Sequence, residues 1–166
     1  MKLHVKLAVL LMAAAALAMG ACARDRTGAA YSAAIAGVDF SDGVMGAEWI
    51  LAEIRAAGET VVLDRENHVA LGFGDIFTLR FDDGMVYGAA MPNTFRGPYA
   101  LEDYRISFGN MATTMMAAFM EPEEITEREF FGHLGNVSRW GVANGNLELF
   151  AIAEDGTETV LVFVEN

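Results

Sequence analysis

From about Glu48 onward, apolar and polar residues alternate in short runs separated by turn residues, a pattern of period two that predicts β-strands. Phe77, Leu79 and Phe81 alternate with Thr78, Arg80 and Asp82, which puts three large apolar side chains on one sheet face. Asp83-Gly84 follows, a pair suited to a two-residue hairpin because both positions accept positive φ, and Met85 to Ala90 returns as the partner strand. Ile106 and Phe108 alternate with Arg105 and Ser107, and Asn144-Gly145 marks a turn before Leu147 and Leu149. Val160 to Val164 is apolar throughout and reads as a strand buried on both faces. With about eight to ten strand candidates, the expected fold is α+β: an antiparallel β-sheet curled into a partly open barrel with one short helix packed against it.

That helix is signalled by Thr126 and Glu129, a capping box in which each side chain answers the other residue's free backbone N–H. Ile125 before the cap and Phe130 within the helix supply a hydrophobic staple, and Gly135-Asn136 supplies the stop. Phe130, Leu134 and Val137 follow helical spacing, so one face is expected to pack on the sheet.

The N-terminus follows a different pattern. Lys2 and Lys6 precede Leu7–Met19, an unbroken apolar run of 13 residues, short of the about 20 that span a bilayer. This is the build of a secretory signal. It ends in Met19-Gly20-Ala21-Cys22, which resembles a bacterial lipobox, with the chain's single cysteine where acylation would occur. Ala21-Cys22-Ala23 also fits an A-x-A cleavage site, which would leave a soluble periplasmic protein. Ala23 after the cysteine, where aspartate would favour the inner membrane, directs the lipoprotein reading to the outer membrane. The expected organisation is a signal over 1–21, a flexible tether over 22–44, rich in small residues, and a domain over 45–166.

Charge narrows the partners. The net charge of −12 becomes two units more negative once Lys2 and Lys6 leave with the signal. Such a body repels nucleic acid and anionic lipid heads, so membrane attachment would rest on acyl chains at Cys22. One cysteine excludes a disulfide framework and any Cys-built metal site.

The order of motifs then carries a resemblance. Trp49-Ile50-Leu51, Leu79-Arg80-Phe81, Asn93-Thr94-Phe95-Arg96-Gly97-Pro98-Tyr99 and Ala112-Thr113-Thr114-Met115-Met116-Ala117 come first. Glu127 with Phe130, Phe131 and Leu134, then Leu147-Glu148-Leu149, complete the series. From about Met45 to Val164 this is similar to the META, or HslJ-like, domain of bacterial envelope lipoproteins, some of which are linked to heat shock and drug tolerance. The resemblance implies an antiparallel, partly open barrel with a helix against it. Two positions depart from the family: Met91-Pro92-Asn93 stands where Gly-Cys-Asn is usual, and Ala118 stands where the second motif usually ends in cysteine. The resemblance implies that those cysteines normally pair, so this chain must hold itself together by packing alone.

A search for chemistry returns little. Beyond the signal only His68 and His133 remain; His68 reads as a surface-loop residue and His133 as an exposed or edge position on the helix. There is no G-x-S-x-G, H-E-x-x-H or P-loop. Asp82-Asp83 is accounted for by the hairpin, and Glu121, Glu123 and Glu124 by solvation and the helix dipole. Met111, Met115, Met116 and Met120 would suit Cu(I), but strand alternation sends Met115 opposite to Met116 and Met120, so core filling is the reading. No catalytic residue, metal or cofactor is expected.

The binding candidate is Asn93, Phe95, Arg96 and Tyr99, with Asn93, Gly97 and Pro98 forming a tight exposed bend that displays the other three. The same residues also read as turn chemistry, with Tyr99 packed beneath. The expected function is a non-enzymatic envelope binding module whose partner is another envelope protein. The alternative is a carrier that shelters a lipid or small hydrophobic ligand in a barrel lined by Phe77, Leu79, Phe81, Ile106 and Phe108.

Overall fold

The strand β1 (Glu48–Ala56) has partners on both sides and closes the molecule on itself. In the computed structural model, which describes residues 38–117 and 120–166, it is followed by β2 (Glu59–Val62), β3 (Thr78–Asp82), β4 (Met85–Ala89), β5 (Thr94–Glu102), β6 (Arg105–Phe108) and β7 (Ala112–Thr113). The last three strands are β8 (Val137–Ala143), β9 (Asn146–Ile152) and β10 (Glu158–Glu165). The sheet runs β10-β9-β8-β6-β5-β4-β3-β1, and β1 pairs back onto β10 from Trp49↔Glu165 to Ala56↔Thr159. Eight strands therefore form a closed antiparallel barrel, with β2 added to β1 and β7 added to β5. The partly open barrel expected from the sequence is corrected to a closed one, and the fold is mostly β. The decisive contact joins segments more than a hundred residues apart, and alternation within each strand carries no record of it.

Local chemistry explains the hairpins. Asp83 and Gly84 take φ of 40° and 75°, and Asn144 and Gly145 take 54° and 83°, as two-residue turns of this hand require. The first turn sets Asp82 opposite Met85, and hence Arg80 opposite Tyr87. At Gly88 a Cβ would lie 2.0 Å from the Thr78 carbonyl and 2.5 Å from the Phe95 ring, so the strand has no room for a side chain there.

Three short helices accompany the barrel where one was expected: α1 (Phe40–Gly43), α2 (Arg65–Ala70) and α3 (Glu127–Gly135). The capping box on α3 is complete: the Thr126 side chain accepts from the Glu129 N–H at 3.2 Å, and Glu129 accepts from the Thr126 N–H at 2.9 Å. Val137 starts β8 instead of extending the helical face. Phe130 of α3 packs on Phe77 at 5.1 Å between ring centroids, while Phe40 of α1 meets Phe81 edge-on at 5.2 Å. Phe77 and Phe81 flank β3 along its length, so the two helices fill different ends of the barrel. The packed domain thus reaches back to Phe40 and Val44, inside the stretch read as tether, and the Trp49 indole N–H donates to the Val44 carbonyl at 2.9 Å.

Leu51, Phe77, Leu79, Phe81, Leu147, Leu149, Leu161 and Phe163 are fully buried and form one continuous core. An eight-stranded barrel is about wide enough for side chains to fill, and these rings and branched chains fill it. Its thinnest seam lies between β6 and β8, where the register is the single pair Arg105↔Arg139. The Trp140 backbone and indole N–H groups bridge that seam to the Tyr104 and Asp103 carbonyls, each at 3.0 Å.

Thr126→Ala removes half of the capping box and is expected to cost about 1 kcal/mol of stability, measured by urea unfolding. The two backbone and side-chain hydrogen bonds from Thr126 hold the Glu129 carboxyl below its ordinary value of 4.5. A depressed carboxylate stabilises the folded state above its unfolded pKa, and that contribution is lost as pH falls through the folded one. The stability advantage of the wild type over Glu129→Gln should therefore be full above about pH 4.5 and shrink below it; an advantage constant with pH would refute the assignment.

Candidate functional site

The four residues selected from the sequence divide into scaffold and surface. Asn93 is 6% exposed and spends its whole hydrogen-bonding capacity inside the protein. Its Oδ1 accepts from the Met116 N–H at 2.7 Å and from the Thr114 hydroxyl at 2.9 Å. Its Nδ2 donates to Glu127 Oε2 at 3.0 Å and to the Met116 carbonyl at 3.2 Å. One amide thus ties the start of β5 to the segment after β7 and to the first residue of α3. Phe95 is buried as well, edge-on to Phe131 at 5.1 Å. Tyr99 is half-buried against Phe40 and Phe81, and burial pushes its phenol pKa upward.

Arg96 alone of the four points outward. The exposed bend expected over Asn93 to Pro98 is corrected to a strand: Gly97 and Pro98 lie within β5, opposite Val86 and Met85. Gly97 packs closely under the next segment: a Cβ would come within 2.5 Å of Met111 Sδ, which would have to move, and 3.1 Å of the Asn110 carbonyl. Gly97-Pro98 falls where β5 changes partner from β7 to β6, an interruption of the ladder that tolerates a residue without an N–H.

Around Arg96 the register assembles a row that sequence reasoning missed. Across the outer face, Glu48 of β1 pairs with Arg80 of β3, Arg80 with Tyr87 of β4, Tyr87 with Arg96 of β5, and Arg96 with Ala112 of β7. Tyr87 is 40% exposed and stands between two hollows. The larger, about 620 Å³, is bordered by Glu48, Asp75, Asp82 and Arg80; the smaller, about 440 Å³, is bordered by Arg96, Thr94, Thr113 and Thr114. Arg80 lies 3.6 Å from Asp82, whereas Arg96 has neither a hydrogen bond nor an ion pair among the described residues. The hairpin turn fixes half of this row in the sequence; the Tyr87–Arg96 half depends on the irregular connection between β4 and β5.

Two other expectations are overturned. His68 is no surface-loop residue: it lies in α2 at 1% exposure, with Nε2 3.2 Å from Glu124 Oε2. Its Nδ1 has no hydrogen-bond partner, so Nε2 makes the ring's polar contact, with the carboxylate. Burial opposes ionisation of Glu124, but the Asp64 N–H and His68 outweigh it and hold the carboxyl below the usual range. The pair ties α2 to the approach to α3. Met115, Met116 and Met120 do not fill the core; they are 97%, 57% and 53% exposed, and they follow the two-residue β7. Half-buried His133 has its pKa lowered by desolvation, against the opposing charge of Glu129. Among the described residues no group of three or more His, Cys, Asp or Glu side chains is arranged to hold a metal ion. Cys22, Ala118, the signal and most of the tether lie outside the described residues.

The fold is shared with solved structures of low sequence identity. One is the NMR structure of a protein from Burkholderia xenovorans, 22% identical, covering 76% of this chain and 86% of that one with a TM-score of 0.56. A DUF4847 family protein from Bacteroides vulgatus is 17% identical and covers 77% of this chain and 98% of its own, with a TM-score of 0.53. The family is given by sequence: the META domain model matches residues 42–166, and the chain belongs to that family. No functionally curated protein matches it.

The division of roles makes opposite demands on two neighbouring residues. Asn93→Ala removes four part-buried hydrogen bonds that tie three segments together and is expected to cost about 1–3 kcal/mol. Arg96→Ala should stay within about 0.5 kcal/mol of wild type. Urea unfolding of both variants checks this, and equal losses would show that Arg96 too is scaffold.

Proposed function

We propose that the protein is a non-enzymatic binding module of the bacterial cell envelope. It is anchored to the outer membrane through acylated Cys22, faces the periplasm, and holds an envelope partner on the face around Arg96. The observation that carries this reading is the unpaired, outward Arg96 guanidinium on a chain of net charge −12, set in a hollow bordered by threonines and the Tyr87 ring. A planar guanidinium suits a carboxylate, which it can hold through two parallel hydrogen bonds. Rigid strands hold the groups in place, and the charge of Arg96 is not spent on folding.

The family likeness supports a role in envelope stress or drug tolerance. A carrier of lipid draws no support from the interior, since Phe77, Leu79, Phe81 and Ile106 are at most 1% exposed and pack against other core side chains.

Membrane fractionation and native co-purification test both halves. Wild-type protein should sediment with the outer membrane, and Cys22→Ser should release it or leave it unprocessed. Arg96→Ala should keep its melting temperature while recovering markedly less of the partner that co-purifies with wild type. A mature N-terminus at Arg24 would overturn the anchor, and undiminished recovery with Arg96→Ala would overturn the surface.

A further inference from the structure

The two hollows that meet at Tyr87 differ in charge. Glu48, Asp75 and Asp82 border the larger, where Arg80 offsets one of the three carboxylates. The smaller has Arg96 and no acidic residue on its border. Thr94 borders both, while the Thr114 hydroxyl is held by Asn93 and the Thr94 N–H.

We propose that this face binds a short zwitterionic peptide laid across the strands, its terminal carboxylate at Arg96 and its free amine against Glu48, Asp75 and Asp82. The proposal rests on reading the Arg96 face as the binding surface and adds the ligand class. A polyanion would gain at Arg96 and be repelled at the acidic end, and a polycation would meet the reverse. A zwitterion is attracted at both ends. The spacing fits as well. Adjacent strands lie about 4.8 Å apart, so Arg96 is about 10 Å from Arg80 and about 14 Å from Glu48 across the sheet. An extended peptide advances about 3.4 Å per residue, so three or four residues span that distance. Tyr87 sits midway, with its ring available to an aliphatic side chain. The Thr94 hydroxyl, on the same face as Arg96, can serve a peptide amide group. β4 and β5 are already hydrogen-bonded to each other and to β3 and β7, so the ligand cannot join this face as another strand. Side chains must do the recognition.

The test uses full-length acylated protein in detergent, titrated calorimetrically with tetra-alanine, its N-acetyl form and its C-terminal amide. Free tetra-alanine should bind, and each blocked form should bind about tenfold more weakly or worse, the scale of one charge-assisted hydrogen bond. Arg96→Glu should weaken the free peptide and leave the amide form unweakened. Asp82→Asn should weaken the free peptide more than the N-acetyl form. Melting temperatures near wild type certify that both variants fold. Equal binding of all three peptides overturns the proposal, as does binding unaffected by Arg96→Glu. If no peptide binds while Arg96→Ala still reduces recovery of the native partner, the ligand class is wrong and the surface stands. If recovery is unaffected too, both readings fall.

Discussion

Pairing of β1 with β10 is the contact on which the rest of the architecture depends. Without it the eight strands would be an open sheet with one apolar face in water and two long free edges. With it, the inward side chains of every strand converge on one volume, and Leu51, Leu79, Phe81, Leu161 and Phe163 meet in the same core. The join must accommodate curvature, and β1 does so with a register shift between Leu51 and Glu53. Bulges of this kind sharpen the twist and let a long strand serve different neighbours along its length. β1 uses that freedom: its first residues pair with β3 and its last with β2, while its other edge holds β10. The described residues contain no cysteine, so closure rests on hydrogen bonds and core packing.

A filled barrel also fixes where function can reside. Its interior is taken by packed side chains, with α3 and α1 contributing Phe130 and Phe40 to that core. What remains is the outer surface, where alternation delivers every second residue of each strand. Arg80, Tyr87 and Arg96 are outward for the same reason that Leu79, Phe81, Val86 and Phe95 are inward. The candidate site is thus a by-product of the core pattern, and its composition is free to vary without disturbing that core.

Legibility in the sequence followed the range of each interaction. The Asp83-Gly84 and Asn144-Gly145 turns, the alternation of β3 and the Thr126–Glu129 box are all set within a few residues, and the structure reproduces them. Closure and the two-residue β7 depend on partners elsewhere in the chain, whereas β2 is the short return after the Ala57-Gly58 turn from β1. His68 shows the same limit, since its neighbours suggest a loop while Glu124, far along the chain, gives it a buried partner. Residue type alone makes Asn93 a turn residue, because turns and buried amide clips both favour a short side chain with a donor and an acceptor. The contacts at Thr114, Met116 and Glu127 decide between those uses, and all of them are non-local. The exposed methionines misled for a related reason: thioethers are apolar enough for a core, yet their segment pairs with β5 only at Ala112 and Thr113 and leaves Met115 in solvent.

Closure further limits the kind of recognition open to this protein. An open sheet binds peptides by adding them as strands, through the unpaired N–H and C=O groups of an edge. Here the eight barrel strands pair around the circle, most thinly between β6 and β8, and the added strands β2 and β7 carry free edges. Of these, β2 is four residues long and β7 two, so either offers at most a few backbone hydrogen bonds. Affinity therefore has to come from side chains on a face, where position is set by strand spacing and cannot slide by one residue without exchanging inward for outward groups. Such a face reads a ligand by the distance between its charges more than by its backbone. The row from Glu48 through Arg80 and Tyr87 to Arg96 has the form that this constraint demands: acid at one end, an unpaired guanidinium at the other and an exposed ring between them.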